Sequence, residues 1–164
     1  MDFEWLENEI LLHALNDSEK KILKEVFEVK EFEFGDHIIN QGDTEKAMYI
    51  IRSGTATVSC SLEGKKTYLG SVYSGGIVGE MSFLREQPAS ATVYAMAHIS
   101  AYKITRDSYC KLLVLNQEIV LNLLSYIQSY MAESLVATNQ RLSTTNVDLA
   151  LYHARGETLN RASN

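Results

Sequence analysis

The residues best suited to chemistry lie in the run Gly76-Ile77-Val78-Gly79-Glu80-Met81-Ser82-Phe83-Leu84, continuing to Gln87-Pro88-Ala89-Ser90-Ala91-Thr92-Val93. Glycine at the end of a short apolar strand lets backbone come close to a ligand. A helix opening after Gly79 would aim the free amides of Met81, Ser82 and Phe83 inward, and such amides suit a phosphate. A carboxylate at position 80 is a poor phosphate group but a good acceptor for sugar hydroxyls. Pro88, the only proline of the chain, fixes the backbone where it re-enters a strand. The chemistry is that of binding a hydroxylated, phosphate-bearing small molecule.

Other residue types offer less. His13, His37, His98 and His153 are scattered and make no metal-ligand spacing. A metal-dependent enzyme on a jelly roll needs several histidines and a carboxylate converging on one strand pair, and that pattern is absent. No Ser-His-Asp or Cys-His arrangement has motif support. The chain therefore reads as a binding protein rather than an enzyme, with no metal and no cofactor. Cys60 and Cys110 lie far apart without CxxC spacing, as expected of reduced thiols in a cytosolic protein.

The formal charge is -6. Lys and Arg are dispersed among carboxylates, which disfavours direct nucleic-acid binding through counterion release. The same field repels anions at long range, so a phosphate-bearing ligand must be held by a local site. The opening Met1-Asp2-Phe3-Glu4-Trp5 is acidic where a secretory signal would be basic, and no apolar run approaches the roughly 18 residues of a membrane span. A cytoplasmic location and no membrane association are expected.

At 164 residues the chain fits one domain. Residues 3–28 read as two short amphipathic helices, with Asn16 and Glu19 at capping-box spacing between them. From Val29 the apolar period shortens towards two. Short strands follow at His37–Ile39, Ala47–Ile51, Thr55–Cys60, Thr67–Val72, Ser90–Met96 and Ile99–Ile104, punctuated by glycine turns. That rhythm indicates a sandwich or barrel over 29–106. A helical period returns at 107–140 with two apolar stripes. Leu113, Val120, Leu123, Ile127 and Tyr130 would face away, while Leu112, Leu115, Ile119, Leu124 and Met131 pack on the barrel. Two stripes imply two partners, and a second copy of the chain would make a homodimer through 107–140. The alternative is that both stripes pack within one monomer. Residues 141–164 read as a polar tail with one short helix at 148–154.

Residues 79–92, Gly79-Glu80-Met81-Ser82-Phe83-Leu84 with Pro88-Ala89-Ser90-Ala91-Thr92, resemble the phosphate-binding cassette of cyclic nucleotide-binding domains. Gly35-Asp36, Gln41-Gly42-Asp43 and Tyr49-Ile50-Ile51-Arg52-Ser53-Gly54 extend the likeness, so that it covers about residues 5–137. The resemblance implies N-terminal helices, an eight-stranded jelly-roll barrel and a long C-terminal hinge and dimer helix. It implies a ligand such as cAMP or cGMP bordered by Val78, Gly79, Glu80, Met81, Ser82, Phe83, Ala89, Ser90 and Ala91. Glu80 would accept from the ribose 2′-hydroxyl, the amides near Ser82 would hold the cyclic phosphate, and Ser90 would donate to phosphate or base. Ser134 would set a hydroxyl against the purine.

One position departs from the family pattern. Ala89 stands where the family's arginine pairs with the phosphate, and Arg85 on the cassette helix is the candidate substitute. A charge-assisted hydrogen bond contributes about 1.5–3 kcal/mol, so its loss matters. Three readings stay open: weak cyclic nucleotide binding, a different ligand, or a ligand-independent dimerisation scaffold. The residues beyond the long helix are too few for a helix-turn-helix domain, so output is expected through a protein partner.

Overall fold

A computed structural model describes residues 1–85 and 87–161, with side chains described through Thr144. The chain opens with α1 (Phe3–Trp5), a π-helical turn (Leu6–Leu11) and α2 (Asp17–Val26). Asn16 caps α2 as its spacing predicts. Its side chain accepts from the Ser18 and Glu19 amides at 2.9 and 3.0 Å, and Glu19 Oε2 accepts from the Asn16 amide at 2.9 Å. These reciprocal bonds satisfy amides that a helix start otherwise leaves unpaired.

Eight strands follow: β1 (Glu28–Phe32), β2 (His37–Ile39), β3 (Ala47–Ser53), β4 (Ala56–Leu62), β5 (Lys65–Val72), β6 (Ile77–Val78), β7 (Thr92–Ala95) and β8 (Ile99–Thr105). They pair as two antiparallel four-stranded sheets, β1-β8-β3-β6 and β2-β7-β4-β5. Strands one and eight, two and seven, three and six, and four and five are thus neighbours, which is the jelly-roll order. The expected eight strands are present, and their hydrogen bonds close two separate sheets rather than one continuous ladder. The inner faces meet in an apolar cluster that includes Ile39, Tyr49, Ile51, Val78, Val93 and Ala101. Strand β3 is buried on both faces, which explains its unbroken apolar run. On its other side Met48, Ile50, Tyr102 and Ile104 are fully buried, with the rings of Trp5 and Phe27 5.8 and 6.5 Å from that of Tyr102.

The region expected as one helix over 107–140 is two. α4 (Arg106–Leu115) ends at Asn116, and α5 (Gln117–Arg161) begins beyond it, running through the stretch read as a polar tail. Asn116 is extended (φ -157°), and its Oδ1 accepts from the Ile119 amide at 3.0 Å, capping the second helix. The break resets the helical phase, so the two predicted stripes do not hold. Val120, Leu123 and Ile127, assigned outward, are buried with Leu112 and Ile119, whereas Leu113 and Leu115 are exposed. The chain divides into two compact units, Met1–Ile127 and Gln128 onward. In the second, every side chain described from Ala132 to Thr144 is exposed. Cys60 on β4 is half-buried and Cys110 on α4 is exposed, both as free thiols.

Candidate ligand-binding site

The site begins where β6 leaves its sheet. Val78 pairs with Tyr49 of β3, and the next residue, Gly79, has φ +83°. A Cβ at position 79 would come 2.6 Å from the Ala47 carbonyl oxygen and 2.9 Å from Ile39 Cδ1. Left-handed backbone and lack of room both demand glycine there. The turn starts α3 (Glu80–Arg85), whose Ser82 Oγ and Phe83 amide both donate to the Gly79 carbonyl at 3.0 Å. Ser82 and Phe83 are buried, Met81 is exposed, and Glu80 is half-buried.

The second half of the site is the segment entering β7. Ala89 is 9% exposed and belongs to the apolar cluster between the sheets. Its amide donates to the Asp43 carbonyl and its carbonyl accepts from the Gly42 amide, both at 2.8 Å. The Gln41 amide donates to Thr92 Oγ1 at 3.0 Å. The Gln41-Gly42-Asp43 turn is therefore the clasp for residues 89–92, a role its distance in sequence concealed. Ser90 is exposed and Ala91 half-buried. The two halves meet through residues 38–49. Ile38, Ile39, Asp43, Glu45, Ala47, Tyr49 and Ser82 enclose a cavity of about 20 Å3. That is room for one water and little more.

Burial raises the Glu80 carboxyl above the usual carboxylate range, with its own amide opposing the shift. Among the described residues Glu80 forms no ion pair, and Lys103 and Arg106 have partners of their own. Lys103 Nζ donates to Glu45 Oε1 and lies 5.8 Å from the Tyr49 ring centre. Arg106 lies over the rings of Phe83 and Tyr109 at 5.7 and 5.6 Å. Arg85 is exposed in the last turn of α3. Ser134 belongs to the second unit and is exposed, its carbonyl accepting from Thr138 Oγ1 at 2.8 Å. Val78 and Ala89 share the apolar cluster, and Val78–Phe83 and Ala89–Ala91 all lie in the first unit.

Three contacts had no signature in the sequence. Phe83, fully buried, meets Tyr109 of α4 edge to face, with ring centres 5.5 Å apart. Tyr126 Oη of α5 donates to the Gly75 carbonyl at 2.5 Å in the turn leading to β6. His13 lies between Glu19 and Glu118, with nitrogen–oxygen distances of 3.5 and 3.8 Å, and this group has ligating atoms within 4.8 Å of one another. Glu19 is buried there. Hydrogen bonds from Asn16, and secondarily Asn116 and His13, hold its carboxyl below the usual range against the effect of burial. It is a helix cap that also ties α2 to the start of α5, through Asn116 Nδ2 at 3.1 Å. Among the described residues no helix is long and apolar enough to cross a membrane.

The family described as cyclic nucleotide-binding domain matches residues 29–116, more than half of the chain. The cAMP-dependent protein kinase regulatory subunit of Emericella nidulans is 30% identical over 109 residues, covering 66% of this chain and 26% of that protein. The chain therefore spans about a quarter of such curated relatives. The catabolite activator protein of Thermus thermophilus is similar in structure, with TM-score 0.59 and 26% identity over 85% of this chain and 62% of the other. So is the regulatory subunit of a cAMP-independent protein kinase A from Trypanosoma brucei, with TM-score 0.61 and 27% identity over 82% and 50%. These relatives are regulatory binding proteins and not themselves enzymes. The match spans the strands β1 to β8 and the turn from Gly79 into α3, and the chain belongs to the cyclic nucleotide-binding domain family.

Proposed function

We propose that this domain is a cytoplasmic sensor of a nucleotide-type small molecule of the cAMP or cGMP kind, and that it signals to a protein partner through its C-terminal helices. The ligand would lie against Val78–Phe83 and Ala89–Ala91, with Glu80 accepting hydrogen bonds from sugar hydroxyls and Ser90 donating. The observation that carries the reading is the Phe83–Tyr109 contact. It joins the helix bearing Glu80 to α4, so a ligand that shifts α3 inward changes what α4 packs against. The two free thiols support a reducing compartment. Calorimetry with cAMP and cGMP, beside hydrogen exchange over 106–127, tests it. Binding with altered exchange is expected; no heat and no thermal shift at millimolar ligand overturns it.

The homodimer belongs to the same proposal. Leu135 and Leu142 are 61% and 58% exposed and stand seven residues apart, an interval the sequence continues at Leu149. A single helix in water gains little from propensity alone, and a leucine every seventh residue suits pairing with a second copy. Ala89 favours a second reading, a dimerisation scaffold that needs no ligand, because the family's cation is replaced by an apolar side chain in the core. The Trypanosoma brucei relative, from a cAMP-independent kinase, supports keeping that reading beside the first.

A further inference from the structure

We infer that the ligand this site prefers is uncharged, a nucleoside or a comparably hydroxylated neutral molecule, rather than its cyclic phosphate. The inference rests on the reading above that Glu80 and Ala89 border the ligand.

Position 89 has not been refitted with another anion-binding group. Its side chain lies in the apolar cluster with Ile39, Ala47, Tyr49 and Val78, and both of its backbone hydrogen-bonding groups are taken by Gly42 and Asp43. Lys103 is held by Glu45, Arg106 lies over two aromatic rings, and Arg85 is exposed on α3. The carboxylates, in contrast, remain. Glu80 is half-buried and, among the described residues, forms no ion pair, and the exposed Asp43 lines the cavity that Ser82 also lines. A phosphate brought to the start of α3 would meet backbone amides, but no cation at position 89 offsets its charge where the dielectric is reduced. The chain's net charge of -6 acts in the same direction at longer range. A neutral sugar suffers none of these penalties. Its hydroxyls are donors for a half-buried carboxylate.

Calorimetry on the full chain at pH 7, with adenosine, guanosine and their 3′,5′-cyclic monophosphates as probes, decides the matter. At least one nucleoside is expected to bind about tenfold or more tightly than its cyclic phosphate, the scale of one charge-assisted contact reversed. Glu80→Gln removes the charge and keeps the shape, so it is expected to narrow that ratio. Equal or tighter binding of the cyclic phosphates, or a ratio unmoved by Glu80→Gln, overturns the inference and leaves the sensing proposal standing. No heat and no thermal shift with any of the four probes at millimolar concentration overturns the sensing proposal itself, and the inference with it.

Discussion

Glu80 is raised by burial, and the sign of its effect on stability follows. Between its unfolded and folded pKa values the native state holds the extra proton, so stability falls as pH rises through that window. Glu80→Gln removes the term. It is expected to raise the stability at pH 7, read as a higher Tm, and to flatten the decline above the usual carboxylate range. Thermal melts at pH 4 and pH 7 check both. Ala89→Arg is expected to raise the affinity for cAMP at least tenfold, read by calorimetry, while overpacking a nearly closed cluster costs about 1–3 kcal/mol. Residue type made Gly79 and Glu80 legible in the sequence, whereas Ala89 stood out only through the family resemblance. What the sequence did not show was the neighbourhood of Ala89. Its enclosure depends on Gly42 and Asp43, which follow β2 and meet the segment entering β7, its partner strand.

Two contacts tie the C-terminal helices to the cassette, one on each side of it. Phe83 precedes the segment returning to β7 and packs on Tyr109, and Gly75 precedes β6 and accepts from Tyr126. Gly75 has φ +83°, and a Cβ there would stand 3.2 Å from the Tyr126 hydroxyl, so backbone and neighbour both favour glycine. Phe83→Ala is expected to cost about 3–5 kcal/mol. That is too large a loss to isolate signalling, which makes Tyr126→Phe the cleaner probe. It should cost about 0.5–1.5 kcal/mol and speed amide exchange at Ile77 and Val78 more than at β8; uniform acceleration would argue against a local tether. At this scale the strands were legible, since period-two alternation and glycine turns report directly on the backbone. The helix boundary at Asn116 was not. Neither proline nor glycine marks it, and the Asn116 side chain that caps α5 is also held by Glu19, far away in sequence.

For the molecule as a whole the jelly roll was readable and the assembly was not. Each strand pair in the sheets leaves a local pattern, whereas an exposed leucine every seventh residue records only that something is missing from its surface. Light scattering is expected to give a dimer that Leu135→Glu with Leu142→Glu converts to monomer, leaving the melting of the Met1–Ile127 unit unchanged. A monomer at high concentration in the unaltered protein would exclude pairing through α5. The thiols have a practical consequence here. Cys110 is exposed on α4, while Cys60 is half-buried on the β4 strand. A maleimide dye added in limiting amount should therefore react first at Cys110, and a second dye can follow at Cys60 under longer exposure. The unmutated chain then carries a donor on the helix that meets the cassette and an acceptor on the sheet. Energy transfer between them reads out helix displacement in solution for every compound tried.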